Sequence, residues 1–135
     1  MTLGEVKKEA LKLMFTNQSS EVNARSIEEL STDDNYGDYL SNMNGSINRC
    51  FARFKNKGIE FGETYQRLTD DTDDNYELDF IDVELVEIIP YWIKGELYEE
   101  DNVAVAMTTK NYFDDLLEEY LNRPQEHTIN KVYEM

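Results

Sequence analysis

One run of apolar residues at helical spacing constrains the fold of this chain more than any other feature. Between positions 36 and 57, apolar side chains recur every three or four residues, which is the period of one face of an α-helix. They are Leu40, Met43, Ile47, Cys50, Phe51 and Phe54. This face spans an arc of about 100°, and Gly58 follows where a left-handed residue commonly ends a helix. The pattern predicts an amphipathic helix that buries one face against other elements.

The N-terminal segment predicts a shorter helix. Thr2 and Glu5 have the form of a capping box, and apolar residues continue at helical spacing to about Phe15. Residues 16–35 are rich in Ser, Thr, Asn and Asp, whose side chains compete for backbone hydrogen bonds. We therefore expect a helix from Thr2 to about Phe15, followed by a long surface loop.

Two more helices are predicted in the second half. The third spans about Asp79, as its N-cap, to Tyr98. Pro90 lies inside it and should either kink the helix or start a new one, because proline has no amide hydrogen. The fourth covers about 102–122 and should end at Pro124.

Residues 59–80 show the alternation of a strand rather than helical spacing. Apolar residues alternate on both sides of the acidic turn sequence TDDTDDN: Ile59, Phe61 and Tyr65 before it, and Tyr76, Leu78 and Phe80 after it. This arrangement predicts a short two-stranded hairpin.

These elements define the predicted architecture. The chain of 135 residues has the size of one domain. We expect a mainly α fold: a small antiparallel bundle of about four helices, with a short β-hairpin between the second and third. The helical domain should cover 1–124, followed by a C-terminal tail at 125–135. The predicted shared core is Phe51, Phe54, Ile88, Leu97, Phe113 and Leu117.

Charge is distributed unevenly along the chain. The net charge is −16, yet residues 1–58 carry as many bases as acids, so the whole excess lies in residues 59–135. An acidic surface repels nucleic-acid phosphates. It can mediate self-association with the neutral half, or simply keep the protein soluble. Charge alone does not separate these alternatives.

Catalytic chemistry is not indicated by the sequence. The single histidine, His127, lies in the polar tail, and the single cysteine, Cys50, lies in an apolar helical stripe where a core role is expected. Nucleotide-binding, serine-hydrolase and zinc-protease motifs do not occur. We therefore predict no catalytic residue, no metal ligand and no cofactor.

One short stretch resembles the opening of a calcium loop. Asp71, Asp73 and Asn75 have the required alternation, but Tyr76 stands where a calcium loop needs glycine. Asp82 also replaces the bidentate glutamate at the twelfth position. The sequence excludes an EF-hand and leaves only a weak cation site open.

A basic stripe predicts a contact with another chain. Arg49, Arg53 and Lys57 are spaced i, i+4 and i+8 and form the densest basic stripe. We expect the stripe to contact acids on a neighbouring subunit, although exposed charges with local partners are the alternative.

Neither a membrane span nor a signal peptide is evident, which predicts assembly in a cytoplasm.

Residues 76–121 resemble the head–tail connector, or head-completion adaptor, proteins of long-tailed bacteriophages. The resemblance lies in IIPYW at 88–92, LYEEDN at 97–102, and the helix at 104–120 with its alanines, aromatic pair and acidic end. It covers roughly a third of the chain.

The resemblance implies a non-enzymatic virion subunit at the head–tail interface. Such proteins form a ring, typically of twelve copies, between the portal protein and the tail or the next neck component. The ring extends the DNA channel, and DNA passes through it without specific binding. The tail anchors Ile129, Val132 and Tyr133 would then order against the portal. The alternatives are an acidic DNA mimic that inhibits a host nucleic-acid enzyme and, less favoured by the motifs, a small enzyme.

Overall fold

Four helices form the scaffold of the part of the chain that the structure describes. The computed structural model describes residues 1–15, 36–99 and 102–123. The helices are α1 (Leu3–Phe15), α2 (Tyr36–Asn56), α3 (Val83–Leu97) and α4 (Val103–Asn122). Helix α3 lies in the middle and packs against the other three, most extensively against α4. The predicted mainly helical bundle is therefore confirmed.

One hydrophobic core joins all four helices. Five of the six predicted core residues are buried in it: Phe51, Phe54, Ile88, Phe113 and Leu117. Leu97 is only half-buried and packs against the edge of this core, because it is the last residue of α3. Cys50 is fully buried, as its place in the apolar stripe predicted. Burial raises the pKa of its thiol, which keeps it in the unreactive protonated form.

The start of α1 confirms the predicted capping box. Thr2 Oγ1 accepts a hydrogen bond from the Glu5 amide at 3.2 Å, and a Glu5 carboxylate oxygen accepts one from the Thr2 amide at 3.1 Å. These bonds satisfy two amides that the helix itself leaves unpaired. The same bonds lower the pKa of the Glu5 carboxyl.

Replacing Thr2 with alanine is expected to lower the free energy of unfolding by about 1 kcal/mol, because the cap is lost. Chemical denaturation followed by circular dichroism measures this change. The lowered pKa means that the stabilisation from Glu5 is present above its unfolded-state pKa and is lost as the pH falls through its folded-state value. The largest cause of that lowered pKa is the Thr2 amide, which the alanine variant keeps, so wild type and the variant should both lose stability as the pH falls. The bond that the Glu5 amide donates to the Thr2 hydroxyl does not titrate, so part of the difference between the two proteins should persist at acid pH. Equal stability of wild type and the variant at neutral pH would contradict this account of the cap.

The end of α2 also follows the sequence. Gly58 has a φ of +88°, in the left-handed region. The Ile59 amide donates to the Phe54 carbonyl at 3.1 Å and the Gly58 amide to the Lys55 carbonyl at 3.0 Å, which is the Schellman pattern.

Helix α3 begins later than predicted. Its N-cap is Asp82, whose carboxylate accepts from the Glu84 amide at 3.4 Å. Asp79 is not the cap, because its carboxylate accepts from the Thr64 hydroxyl at 2.7 Å in the preceding segment. The helix continues through Pro90, so no new helix starts there. Helix α4 has Asn102 as its N-cap, which accepts from the Val105 amide at 3.1 Å.

The predicted hairpin at 59–80 is wrong. The segment between α2 and α3 forms no strand, and a single isolated bridge pairs Thr2 with Glu77. The alternating apolar residues of this segment instead contribute to an aromatic cluster, in which Phe51 of α2 packs edge-on against three rings. These are Phe61 at 5.6 Å, Tyr65 at 5.8 Å and Phe80 at 5.3 Å between ring centroids.

Side chains supply hydrogen bonds that a hairpin would draw from strand pairing. Asn48 of α2 donates to the Leu68 carbonyl at 2.9 Å and accepts from the Leu68 amide at 3.0 Å. Asn44 donates to the Thr69 carbonyl at 2.8 Å. The Tyr76 hydroxyl accepts from the Gln66 amide and donates to the Thr64 carbonyl. The segment is thus pinned to α2 without a β-sheet.

Candidate functional site

Metal-binding clusters are not found in the described parts of the chain. No group of three or more His, Cys, Asp or Glu side chains there is arranged to hold a metal ion. The calcium-like turn uses its acids locally: Asp73 accepts from the Asn75 amide at 2.7 Å, and Asp74 pairs with Lys7 at 2.9 Å. His127 lies outside the described residues. None of the described helices is long and apolar enough to cross a bilayer.

The predicted basic stripe bonds to acids of its own chain. Arg49 Nε lies 2.9 and 3.1 Å from the two carboxylate oxygens of Glu96 on α3. Arg53 pairs with Asp114 at 3.3 Å and Lys57 with Glu118 at 3.0 Å, both acids on α4. The hydrogen bond that Arg49 donates to the Glu96 carboxylate raises the pKa of the Arg49 guanidinium.

This geometry has a consequence for the stripe. Its cations tie α2 to α3 and α4, as the alternative of local partners anticipated. Exposed ion pairs contribute little stability, roughly 0–1 kcal/mol each. A neighbouring subunit would have to share these cations or displace their partners. The subunit contact of Arg49, Arg53 and Lys57 stays a prediction.

A second group of cations lies on the outer side of α2. An open cleft of about 320 Å³ is lined by Arg49 and Lys55 of α2 and by Arg67 of the irregular segment. Its remaining lining comes from Gly45, Asn48, Ala52 and Tyr65, so no carboxylate lines it. The Lys55 ammonium sits 4.1 Å from the Tyr65 ring centroid and 5.0 Å from that of Phe61. This cationic cleft is unusual on so acidic a chain.

An acidic cleft lies between the start of α3 and the end of α4. It has a volume of about 350 Å³, and three carboxylates line it: Glu84, Glu87 and Glu119. Glu84 pairs with Arg123, which closes this end of the antiparallel helix pair. Tyr120 donates from its hydroxyl to Asp82 at 3.2 Å, and burial raises the pKa of that hydroxyl.

Sequence reasoning missed the cationic cleft. Lys55 and Arg67 are twelve residues apart, and the fold of the irregular segment brings them to one cleft. A local signal for this proximity does not exist in the sequence.

The predicted tail anchors Ile129, Val132 and Tyr133 lie outside the described residues.

Comparison with known proteins gave no match: no family model, no curated protein and no solved structure is similar to this chain.

Proposed function

We propose that this chain is a structural subunit of a bacteriophage neck, without enzymatic activity. It forms a ring between the portal protein and the tail or the next neck component, and the ring extends the DNA channel. The observation that carries the proposal is the connector-like stretch at 76–121, most of which forms one packed unit, the α3–α4 pair.

The packing of this pair supports the proposal. Gly95 allows the two helices to approach closely: a Cβ there would lie 2.7 Å from Lys110 Cγ and 3.6 Å from the Ala106 carbonyl oxygen. Trp92, in the resembling stretch, packs edge-on against Phe113 at 5.2 Å and donates to the Ser46 carbonyl at 2.9 Å. The residues that carry the resemblance therefore hold the middle of the bundle together.

The distribution of acids supports a passive channel component. Glu87 of α3 and Glu60 and Glu63 of the irregular segment are exposed, and none forms an ion pair with another described residue. Carboxylates on a channel wall deny DNA the counterion release that gives basic surfaces their affinity. The genome can then pass without sticking to the wall.

Size-exclusion chromatography with mass measurement tests the proposal, on the protein alone and mixed with its cognate portal ring. We expect a ring-sized species, or co-elution with the portal as a complex containing several copies. An acidic DNA mimic would stay small and ignore the portal. A chain that is monomeric under both conditions would therefore overturn the proposed function.

A chain ending at residue 124 is the second arm of this experiment. The tail is predicted to dock on the portal through Ile129, Val132 and Tyr133. Its removal should leave the stability of the subunit unchanged and abolish attachment to portal-bearing heads. Normal attachment by the shortened chain would reject portal docking through the tail while leaving the ring proposal standing.

A further inference from the structure

The cationic cleft on α2 has unused binding capacity. Arg67 is exposed and forms no ion pair with a described residue, and Lys55 lies over the rings of Phe61 and Tyr65 and likewise forms no ion pair with a described residue. The Nε of Arg49 bonds to Glu96, yet the Arg49 side chain is 59% exposed. Three cations thus face a cleft that lacks a lining carboxylate, on a chain of net charge −16. Glu96 is the counterion of Arg49, whereas Lys55 and Arg67 have no carboxylate partner among the described residues. Bringing like charges together in this way is unfavourable, which points to an anionic partner.

The shape of the cleft favours a protein helix over a nucleotide. Lys55 covers the faces of Tyr65 and Phe61, so these rings are not free to stack on a base. Ala52 lies between Arg49 and Lys55 on α2, and both Ala52 and these cations are exposed. Because alanine is small, a partner helix can approach α2 closely at this position, as helices do over small residues.

The outer face of α4 carries matching charges. Asp115 and Glu119 are four residues apart, so they lie one helical turn from each other on the same face. Both are exposed, and neither forms an ion pair with a described residue. The neighbouring acids Asp114 and Glu118 already pair with Arg53 of α2 and with Lys57, which follows α2. Asp115 and Glu119 are thus the acids of this face that remain without an ion pair among the described residues, although Glu119 shares the acidic cleft with Arg123.

We propose that the cationic cleft of one subunit receives the outer face of α4 of a second copy, with Lys55 and Arg67 opposite Asp115 and Glu119. This inference rests on the proposed function, because it names the contact that builds the ring. The two patches differ, so the contact is heterologous and closes into a ring when the rotation allows it. It also gives two chains of like net charge a local attraction that overcomes their repulsion.

A charge exchange tests this pairing in the full-length protein. The cleft-reversed variant carries Lys55→Glu and Arg67→Glu, and the α4-reversed variant carries Asp115→Lys and Glu119→Lys. Each variant alone brings like charges together and should stay monomeric by mass measurement at concentrations where wild type assembles. An equimolar mixture restores opposite charges at every contact of an alternating ring, so assembly should return. Lys8→Glu with Lys12→Glu on α1 is the matched control and should assemble like wild type.

The outcomes separate this contact from a general effect of charge. If net charge governed assembly, the less negative α4-reversed variant would assemble better than wild type, which would overturn the inference. Rings formed by the cleft-reversed variant alone would also overturn it and leave the neck function standing. A DNA mobility shift of wild type that is lost in the cleft-reversed variant would assign the cleft to nucleic acid instead. A wild-type chain that never assembles, alone or with the portal, overturns both proposals.

Discussion

Replacing Phe51 or Phe113 with alanine is expected to lower the free energy of unfolding by about 3–5 kcal/mol, the usual loss for a buried phenylalanine. Both side chains are completely buried. Phe51 is the centre of the aromatic cluster that holds the irregular segment on α2. Phe113 lies between Phe54, at 6.1 Å, and Trp92, at 5.2 Å, and so links three helices.

Urea denaturation followed by circular dichroism measures both losses. Met107→Ala is the matched control on α4, because this side chain is 60% exposed and its removal should change stability by no more than about 0.5 kcal/mol. Losses below about 1 kcal/mol at both phenylalanines would show that the apolar faces of α2 and α4 are assigned incorrectly.

Helical periodicity and end signals predicted much of this fold. The apolar stripe of α2 identifies the buried face, since spacing along a helix decides which side chains share a side. The capping box at Thr2 and the C-terminal Gly58 each predicted a helix end, because these signals act within a few residues. Sequence signals were sufficient to predict features whose contacts join residues close together in the chain.

The irregular segment could not be predicted in the same way. Alternating apolar residues fit a half-buried strand, but they also fit an extended chain that inserts rings into a cluster. Whether the segment forms a strand or a ring cluster depends on Asn48 and Phe51 of α2. These side chains contact residues that lie ten or more positions further along the chain. The predicted N-cap at Asp79 was wrong for the same reason. The Asp79 carboxylate accepts a hydrogen bond from the hydroxyl of Thr64, which lies far from it in the sequence.

The arrangement of charged residues could also be predicted along one helix but not between helices. The i, i+4 and i+8 spacing of Arg49, Arg53 and Lys57 predicted that they form one stripe. It could not show that Glu96, Asp114 and Glu118 lie across from them, because those acids belong to other helices. The cationic cleft was beyond sequence reasoning because Arg67 reaches it only through the fold of the irregular segment.

The side chain of Asn48 is expected to be the main polar anchor of that segment. It makes two hydrogen bonds to the main chain of Leu68, whose side chain is itself 3% exposed. Asn48→Ala removes both bonds and leaves a carbonyl and an amide in a part-buried place. Each unsatisfied group costs roughly 1–3 kcal/mol, so we expect a total loss of about 2–3 kcal/mol after partial rescue by water.

Asn111→Ala on α4 is the control that makes this loss interpretable. Alanine favours a helix over asparagine by up to about 0.7 kcal/mol, and this gain applies equally at Asn48 and at the exposed Asn111. The difference between the two variants in urea denaturation therefore isolates the lost hydrogen bonds. Hydrogen exchange gives a second readout: the Leu68 amide should exchange faster in Asn48→Ala and unchanged in Asn111→Ala. If the two variants are equally stable and the Leu68 amide stays protected in both, then Asn48 does not anchor the segment, and the aromatic cluster around Phe51 holds it alone.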